Sequence, residues 1–226
     1  MTLLGAAQIR ELAAALELKP SKSLGQNFVI DSNVCTKIVR TAAVGPTDIA
    51  LEIGPGLGSL TLALLESAAS VVAVEIDPRL AGQLPITVAN HCEHPENLTV
   101  LNQDALTIQA LPVNPTVLVA NLPYNVSVPV LLHLLEKFES LRTGVVMVQA
   151  EVADRLAAKP GTKDYGIPSV KAAWWAEVKG AGSVSRSVFW PAPNVDSKLV
   201  SFTRRQTPGD EELRRKVFRI IDAAFA

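Results

Sequence analysis

The sequence has little cysteine: Cys35 and Cys92 are its only thiols in 226 residues. Two thiols in a chain of this length exclude a disulfide framework and favour a reducing compartment, so a cytoplasmic location is expected. Long apolar runs are also missing. The stretch at 117–120 is among the longest, far short of the ~20 residues that a membrane helix needs. Residues 1–15 are amphipathic, with no basic start leading into an apolar run and a cleavage site, which argues against a secretory signal. Nor is there a surplus of positive charge. Lys and Arg number 21 against 22 Asp and Glu, a net charge of −1, whereas a nucleic-acid binder usually carries a basic excess. The basic residues are unevenly placed, however. Lys19, Lys22, Arg186, Lys198, Arg204, Arg205, Arg214, Arg215, Lys216 and Arg219 lie towards the two ends, which allows a positive face on a neutral whole. Internal repeats and low-complexity segments are absent.

What is present is a patterned globular sequence, 48% hydrophobic and 19% charged, long enough for one sizeable domain with a small appendage. Ile9, Leu12 and Leu16 predict a helix over 8–18, followed by a loop over 19–28. Asp31 is placed to cap a second helix reaching about residue 43. Short apolar strands are predicted at 49–53, 71–76, 98–101, 117–120 and 144–148. Helices fall between or after them at 59–67, from Leu80, at about 128–139 and at 151–157. Strands alternating with helices predict an α/β fold with a parallel sheet covered on both faces. In such sheets ligands bind beyond the carboxyl ends of the strands. Residues 206–210 read as a linker, and a charged helix with an apolar face (Leu213, Val217, Ile220, Ile221) follows.

The residues just after the strands carry the chemistry. Glu52-Ile53-Gly54-Pro55-Gly56-Leu57-Gly58 follows the first strand, and its glycines let the backbone turn tightly against a ligand. Nicotinamide and flavin enzymes use a similar turn, so the motif alone does not choose a cofactor. Glu75 ends the second strand, where a carboxylate accepts the hydroxyls of a ribose. Asp104 follows the third, either as acceptor for an adenine amino group or as a helix cap. After the fourth strand, Asn121-Leu122-Pro123-Tyr124 combines an amide, a stiffened turn and an aromatic ring. An adenine amino nitrogen is a poor nucleophile because its lone pair is delocalised into the ring. The Asn121 side-chain carbonyl and a backbone carbonyl at Leu122 or Pro123 would hold its hydrogens and localise that pair, while Tyr124 stacks on the base. The leaving thioether is neutral, so positioning and electrostatics suffice. A dehydrogenase has no need of this quartet.

With these motifs in order, the chain resembles the small-subunit ribosomal RNA adenine dimethyltransferases, the kasugamycin-sensitivity enzymes, along nearly its whole length. Lys22-Ser23-Leu24-Gly25-Gln26-Asn27-Phe28 is similar to the family's N-terminal cofactor motif, 52–61 to its glycine motif, and Val74-Glu75-Ile76-Asp77 to its ribose-binding strand end. Met147-Val148-Gln149 with Glu151-Val152-Ala153-Asp154-Arg155 is similar to the fifth-strand signature. Residues 188–197, from Val188 to Ser197, are similar to the late motif, in which a Phe, here Phe189, helps hold the target base. The resemblance implies a class I S-adenosylmethionine-dependent methyltransferase with a Rossmann-like, mostly parallel seven-stranded sheet. It implies S-adenosylmethionine contacts at Asn27, Val29, Gly54, Glu75, Asp104 and Asn121, and catalytic roles for Asn121, Leu122, Pro123, Tyr124 and Phe189. Val29 stands where the family usually has Leu. The implied substrate is a pair of adjacent adenosines near the 3′ end of small-subunit ribosomal RNA in an assembling 30S subunit, each dimethylated by a monomeric enzyme. It also implies a catalytic domain over 1–205 and, over 206–226, a linker and the first helix of a small helical C-terminal domain.

Three features invite other readings. His91-Cys92-Glu93-His94 has metal-ligand residue types but not the spaced pairs of a zinc site, so no metal is expected. Trp174-Trp175, read as strand residues, would point to opposite faces, one to the core and one to the surface. The Arg204–Arg205 and Arg214–Lys216 clusters are either RNA contacts or a solvated face. Two rival functions share the cofactor residues: a large-subunit RNA adenine methyltransferase of the macrolide-resistance type, and a non-catalytic ribosome-assembly or transcription factor on the same fold.

Overall fold

A computed structural model describes residues 2–18 and 26–225. Lys19, Lys22 and the Lys22–Gly25 part of the N-terminal motif therefore lie outside the described residues. The helices are α1 (Ala6–Ala15), α2 (Ser32–Thr41), α3 (Ser59–Leu65), α4 (Pro78–His91), α5 (Ser127–Lys137), α6 (Ala150–Ala157), α7 (Ile167–Ala172) and α8 (Glu211–Ala224). Strands β2 (Ile49–Ile53), β3 (Ser70–Glu75), β4 (Leu98–Asn102), β5 (Val117–Asn121), β6 (Thr143–Gln149), β7 (Ala176–Val184) and β9 (Ser197–Arg204) form one sheet. Its order is β4-β3-β2-β5-β6-β9-β7. β9 is antiparallel to both its neighbours and alone runs against the rest. A separate antiparallel ribbon pairs β1 (Phe28–Val29) with β8 (Phe189–Trp190).

The strand sequences explain the two covered faces. Successive strand residues point to opposite sides, and Val117 and Val119 join one apolar core while Leu118 and Ala120 join the other. Both sides must therefore be apolar, as in the run Val71–Val74, which is buried throughout. Helix starts are fixed by carboxylates that accept otherwise unpaired backbone N–H groups. Asp31 accepts from Asn33 at 2.9 Å, Asp77 from Arg79 at 3.0 Å and Asp210 from Leu213 at 2.9 Å. Pro78 occupies the first turn of α4, where a missing N–H is harmless.

Two parts of the fold differ from the sequence expectation. β7 and β9 carry no clear strand signal. β7 is interrupted by Gly180 and Gly182, with a register shift between them, and most of its side chains face solvent. Trp174 and Trp175 are not in a strand but in the turn between α7 and β7, and both are buried. The core-plus-surface reading fails because its strand premise fails. Phe218 of α8 meets both indoles edge-on, at 6.1 and 5.5 Å between ring centres.

The basic clusters are also partly structural. The Arg204 guanidinium donates to the carbonyls of Leu135, Phe138 and Leu141, closing the carboxyl end of α5. Arg214 is nearly buried, 5.3 Å from the Trp175 ring centre and 5.2 Å from that of Phe218, and is paired with Glu136 at 2.9 Å and Glu211 at 2.8 Å. It pins α8 to the sheet domain through stacking and charge together. Arg214→Ala leaves Glu136 without its cation and the rings without their cover. It should lower the unfolding free energy by about 2–4 kcal/mol. Urea denaturation checks this, and a loss below about 0.5 kcal/mol, the value of a surface pair, would contradict it.

Candidate active site

A crevice opens beyond the carboxyl ends of β2, β3 and β5. It lies where the strand order leaves β2 in two directions, the usual ligand position in an open α/β sheet. Asn27, Val29, Gly54, Glu75, Asp104 and Asn121, the six residues predicted to contact cofactor, all line it.

The glycine turn forms its floor. Gly54 and Gly56 have φ of +68° and +57°, in the left-handed region that a side chain disfavours. A Cβ on Gly56 would also stand 2.9 Å from Cδ1 of Phe28, so the ring of β1 closes directly over the turn. Glu75 braces this turn from the next strand. Its Oε2 accepts from the Gly56 N–H at 3.1 Å and its Oε1 from the Asp77 N–H at 3.0 Å. Each carboxylate oxygen has a second lone pair, so the residue retains acceptor capacity towards the crevice. Burial raises the Glu75 pKa above the usual carboxylate range. Glu52 lies deeper, 1% exposed, and accepts from the Thr61 hydroxyl at 2.7 Å. Burial, reinforced by the neighbouring Glu75 charge, pushes its pKa up to about 8. Among the described residues no basic side chain pairs with either acid, so burial favours their protonated forms. No helix follows Asp104, so the cap reading fails. Its Oδ1 accepts from the Leu106 N–H at 2.9 Å, and the residue lines the crevice.

The turn after β5 forms the far wall. Asn121 donates through Nδ2 to the backbone carbonyl of Asn27 at 3.1 Å, and its buried Oδ1 has no partner among the described residues. The Leu122 side chain is 1% exposed and belongs to the core, and its N–H donates to the Met147 carbonyl. Leu122 can therefore act only through its backbone. The Pro123 carbonyl accepts from the Val126 N–H at 3.2 Å and is used by the turn itself. Tyr124 is half-buried, and its hydroxyl shares a 2.7 Å hydrogen bond with the Ser197 hydroxyl. Burial raises the Tyr124 pKa and keeps the phenol neutral. Tyr124 faces a second cavity, walled on the other side by Pro191–Val195. Gln26 and Asn27 line both cavities, which thus share a wall.

Phe189 is the predicted residue that the structure does not bring to the site. It is 3% exposed, packs in the core, pairs with Val29 and lines neither cavity. Alternation along β8 turns it inwards, and it is Trp190 that stacks on Phe28, at 6.3 Å. The sequence reading missed roles for Phe28, Glu52 and Ser197, although all three stand inside motifs that it quoted. Among the described residues no group of three or more His, Cys, Asp or Glu side chains is arranged to hold a metal.

A family model described as ribosomal RNA adenine dimethylase matches residues 17–226. The chain belongs to this family. Ribosomal RNA small subunit methyltransferase A of Leifsonia xyli subsp. xyli is 61% identical over 227 residues, covering 100% of this chain and 81% of the relative. The protein of the same name from Streptomyces avermitilis is 61% identical, covering 99% and 77%. Among solved structures, a dimethyladenosine transferase from Plasmodium falciparum is 28% identical with a TM-score of 0.76, over 88% of this chain and 70% of that one. The 23S rRNA methyltransferase ErmE is 29% identical with a TM-score of 0.72, over 87% and 78%. The class I methyltransferase fold expected from the sequence is the fold observed, and the dimethylase family is an enzyme family.

Glu52 gives this floor a pH signature. The folded chain holds the Glu52 proton up to about pH 8, whereas an unfolded glutamate releases it near 4.3. Between these values the folded state binds the extra proton, so its stability falls as pH rises, and above pH 8 the full penalty applies. Glu52→Gln cannot ionise and removes this slope. The variant should match the parent below about pH 4 and exceed it by a few kcal/mol above pH 8. Denaturant unfolding across that range checks the sign, and a variant less stable than the parent at high pH would contradict it.

Proposed function

We propose that this chain transfers methyl groups from S-adenosylmethionine to the N6 amino groups of two adjacent adenosines near the 3′ end of small-subunit ribosomal RNA, during assembly of the small subunit. The observation that carries the reading is the Asn121 amide. Its donor side is held by Asn27, which lines both cavities, while its acceptor oxygen, on the wall of the crevice, is buried and has no partner among the described residues. A buried acceptor without a donor is costly, and an amino group supplies the donor. The Leu122 carbonyl, next to Asn121 in the same turn, takes the second hydrogen. Tyr124 offers its ring for stacking.

The crevice floor suits the cofactor. Glu75 and Asp104 line it and offer acceptors to hydroxyl and amino groups. When bound, S-adenosylmethionine supplies a methyl group on positively charged sulfur, which departs as a neutral thioether. Asn121 and Leu122 hold the amino group so that its lone pair faces that methyl carbon. The target nitrogen would gain positive charge on taking that methyl group and would then give up one of its hydrogens as a proton to water. The acceptors stabilise that developing charge, and no strong base is required.

Substrate choice follows the stronger likeness. The relatives named small subunit methyltransferase A are 61% identical, against 29% for ErmE. Residues 206–226 read as a linker and the opening helix of a C-terminal helical domain. The support is the apolar side of α8, where Leu213 and Ile220 are exposed. No helix among the described residues is long and apolar enough to cross a membrane.

The test is incubation with immature small subunits and radiolabelled S-adenosylmethionine, followed by mapping of the label. Label on two adjacent adenosines near the 3′ end of the small-subunit RNA is the expected result. Label confined to large-subunit RNA would move the chain to the macrolide-resistance type, and no label on either would leave the assembly-factor reading.

A further inference from the structure

The Tyr124 ring has two attachments. One is its own backbone, in a turn tied by the Val126 N–H to the Pro123 carbonyl. The other lies 73 positions away, where the phenol oxygen is 2.7 Å from Oγ of Ser197. Ser197 is fully buried and opens β9, in register with Gln149 of β6 on one side and Val184 of β7 on the other. The Ala150 N–H donates to the carbonyl of the preceding residue, Asp196, at 2.8 Å. The hydroxyl of Ser197 thus projects from a backbone anchored on both flanks.

The second cavity lies between these attachments. Tyr124 forms one wall, and Pro191–Val195, the segment that runs directly into Ser197, forms the other. A hydrogen bond across the base of the two walls sets the distance between them and the plane of the ring. A ring held only at Cβ turns about two single bonds, and a second attachment at its far end removes much of that freedom. The phenol is neutral, as burial requires, so the bond joins two hydroxyls and carries no charge.

We infer that Ser197 is a positioning residue for methyl transfer: its hydroxyl locks the Tyr124 ring at the angle at which the target base stacks. The inference rests on the adenine-methylating reading above. Ser197 touches neither base nor cofactor and acts only through Tyr124. This refines what the ring alone predicts. Stacking needs no hydroxyl, yet here the hydroxyl sets where the ring stands. Tyr124→Phe should therefore keep stacking and lose alignment.

The experiment compares the parent chain, Ser197→Ala, Tyr124→Phe and the double variant. Methyl transfer to immature small subunits is measured at saturating S-adenosylmethionine, with cofactor affinity by titration calorimetry and thermal midpoints alongside. Each single variant should slow transfer by about two- to tenfold, the worth of one neutral hydrogen bond. The double variant should be no slower than the slower single, because both remove the same bond. Cofactor affinity should stay at the parent value, and each variant should remain folded at the assay temperature with only a small fall in midpoint. Losses that multiply in the double variant overturn the assignment, as does a Ser197→Ala rate loss matched by a loss of cofactor affinity or of folding. Should Ser197→Ala not fold, Tyr124→Phe breaks the bond from its other end, and full activity of that variant overturns it equally. A parent chain inactive on small subunits overturns the functional reading itself, and the role of Ser197 with it.

Discussion

The hydrogen bond from Asn121 Nδ2 to the carbonyl of Asn27 is the constraint on which the site depends. It joins the end of β5 to the segment that enters β1, two stretches 94 positions apart, and makes one wall serve two cavities. It also settles the orientation of the amide. With the nitrogen committed to Asn27, the oxygen must remain as the acceptor, in a buried place with nothing among the described residues to accept from. Proteins rarely leave such an atom without a use. Much of the surrounding architecture keeps this wall in place: the β1–β8 ribbon holds Asn27, Phe28 covers the glycine turn, and the register of β5 on β6 fixes Asn121 opposite Met147.

Charge is distributed in the same spirit. The crevice floor carries Glu52 and Glu75, two acids that burial makes reluctant to ionise together. Outside, many basic side chains are already committed. Arg204 closes α5, Arg214 fastens α8, Lys198 meets Asp154 at 2.7 Å and Arg186 meets Asp196 at 3.0 Å. The net charge of −1 is therefore the sum of a structural network and an acidic floor, and says little about the face that meets RNA.

How much of this was legible depended on how local each signal is. Four of the five predicted strands, β2, β3, β5 and β6, follow from runs such as Val71–Val74, because a strand buried on both faces must be apolar throughout. The glycine turn, Glu75, Asp104 and Asn121 stand directly after strands, so reading the strands placed them. Three things were not legible. β7 and β9 close the far edge with polar and glycine-broken sequence, and β7 gains its order from pairing with β9 rather than from its own pattern. The burial of both Trp174 and Trp175 depends on Phe218 and Arg214 arriving from α8. The inward turn of Phe189 and the link from Ser197 to Tyr124 are set by partners far along the chain, which no local motif encodes.

The central claim is that the free oxygen of Asn121 acts on the target amino group, with the rest of the site arranged to keep it free. Asn121→Ala removes that oxygen together with the Nδ2 bond to Asn27, so cofactor affinity is measured alongside to report on the wall itself. Single-turnover methyl transfer to immature small subunits, at saturating S-adenosylmethionine, isolates this contribution from cofactor binding. The account predicts a fall in rate of about 10²–10³-fold, the usual cost of deleting one preorganised polar group aimed at developing charge. A rate within about threefold of the parent, less than the worth of one ordinary hydrogen bond, would contradict it.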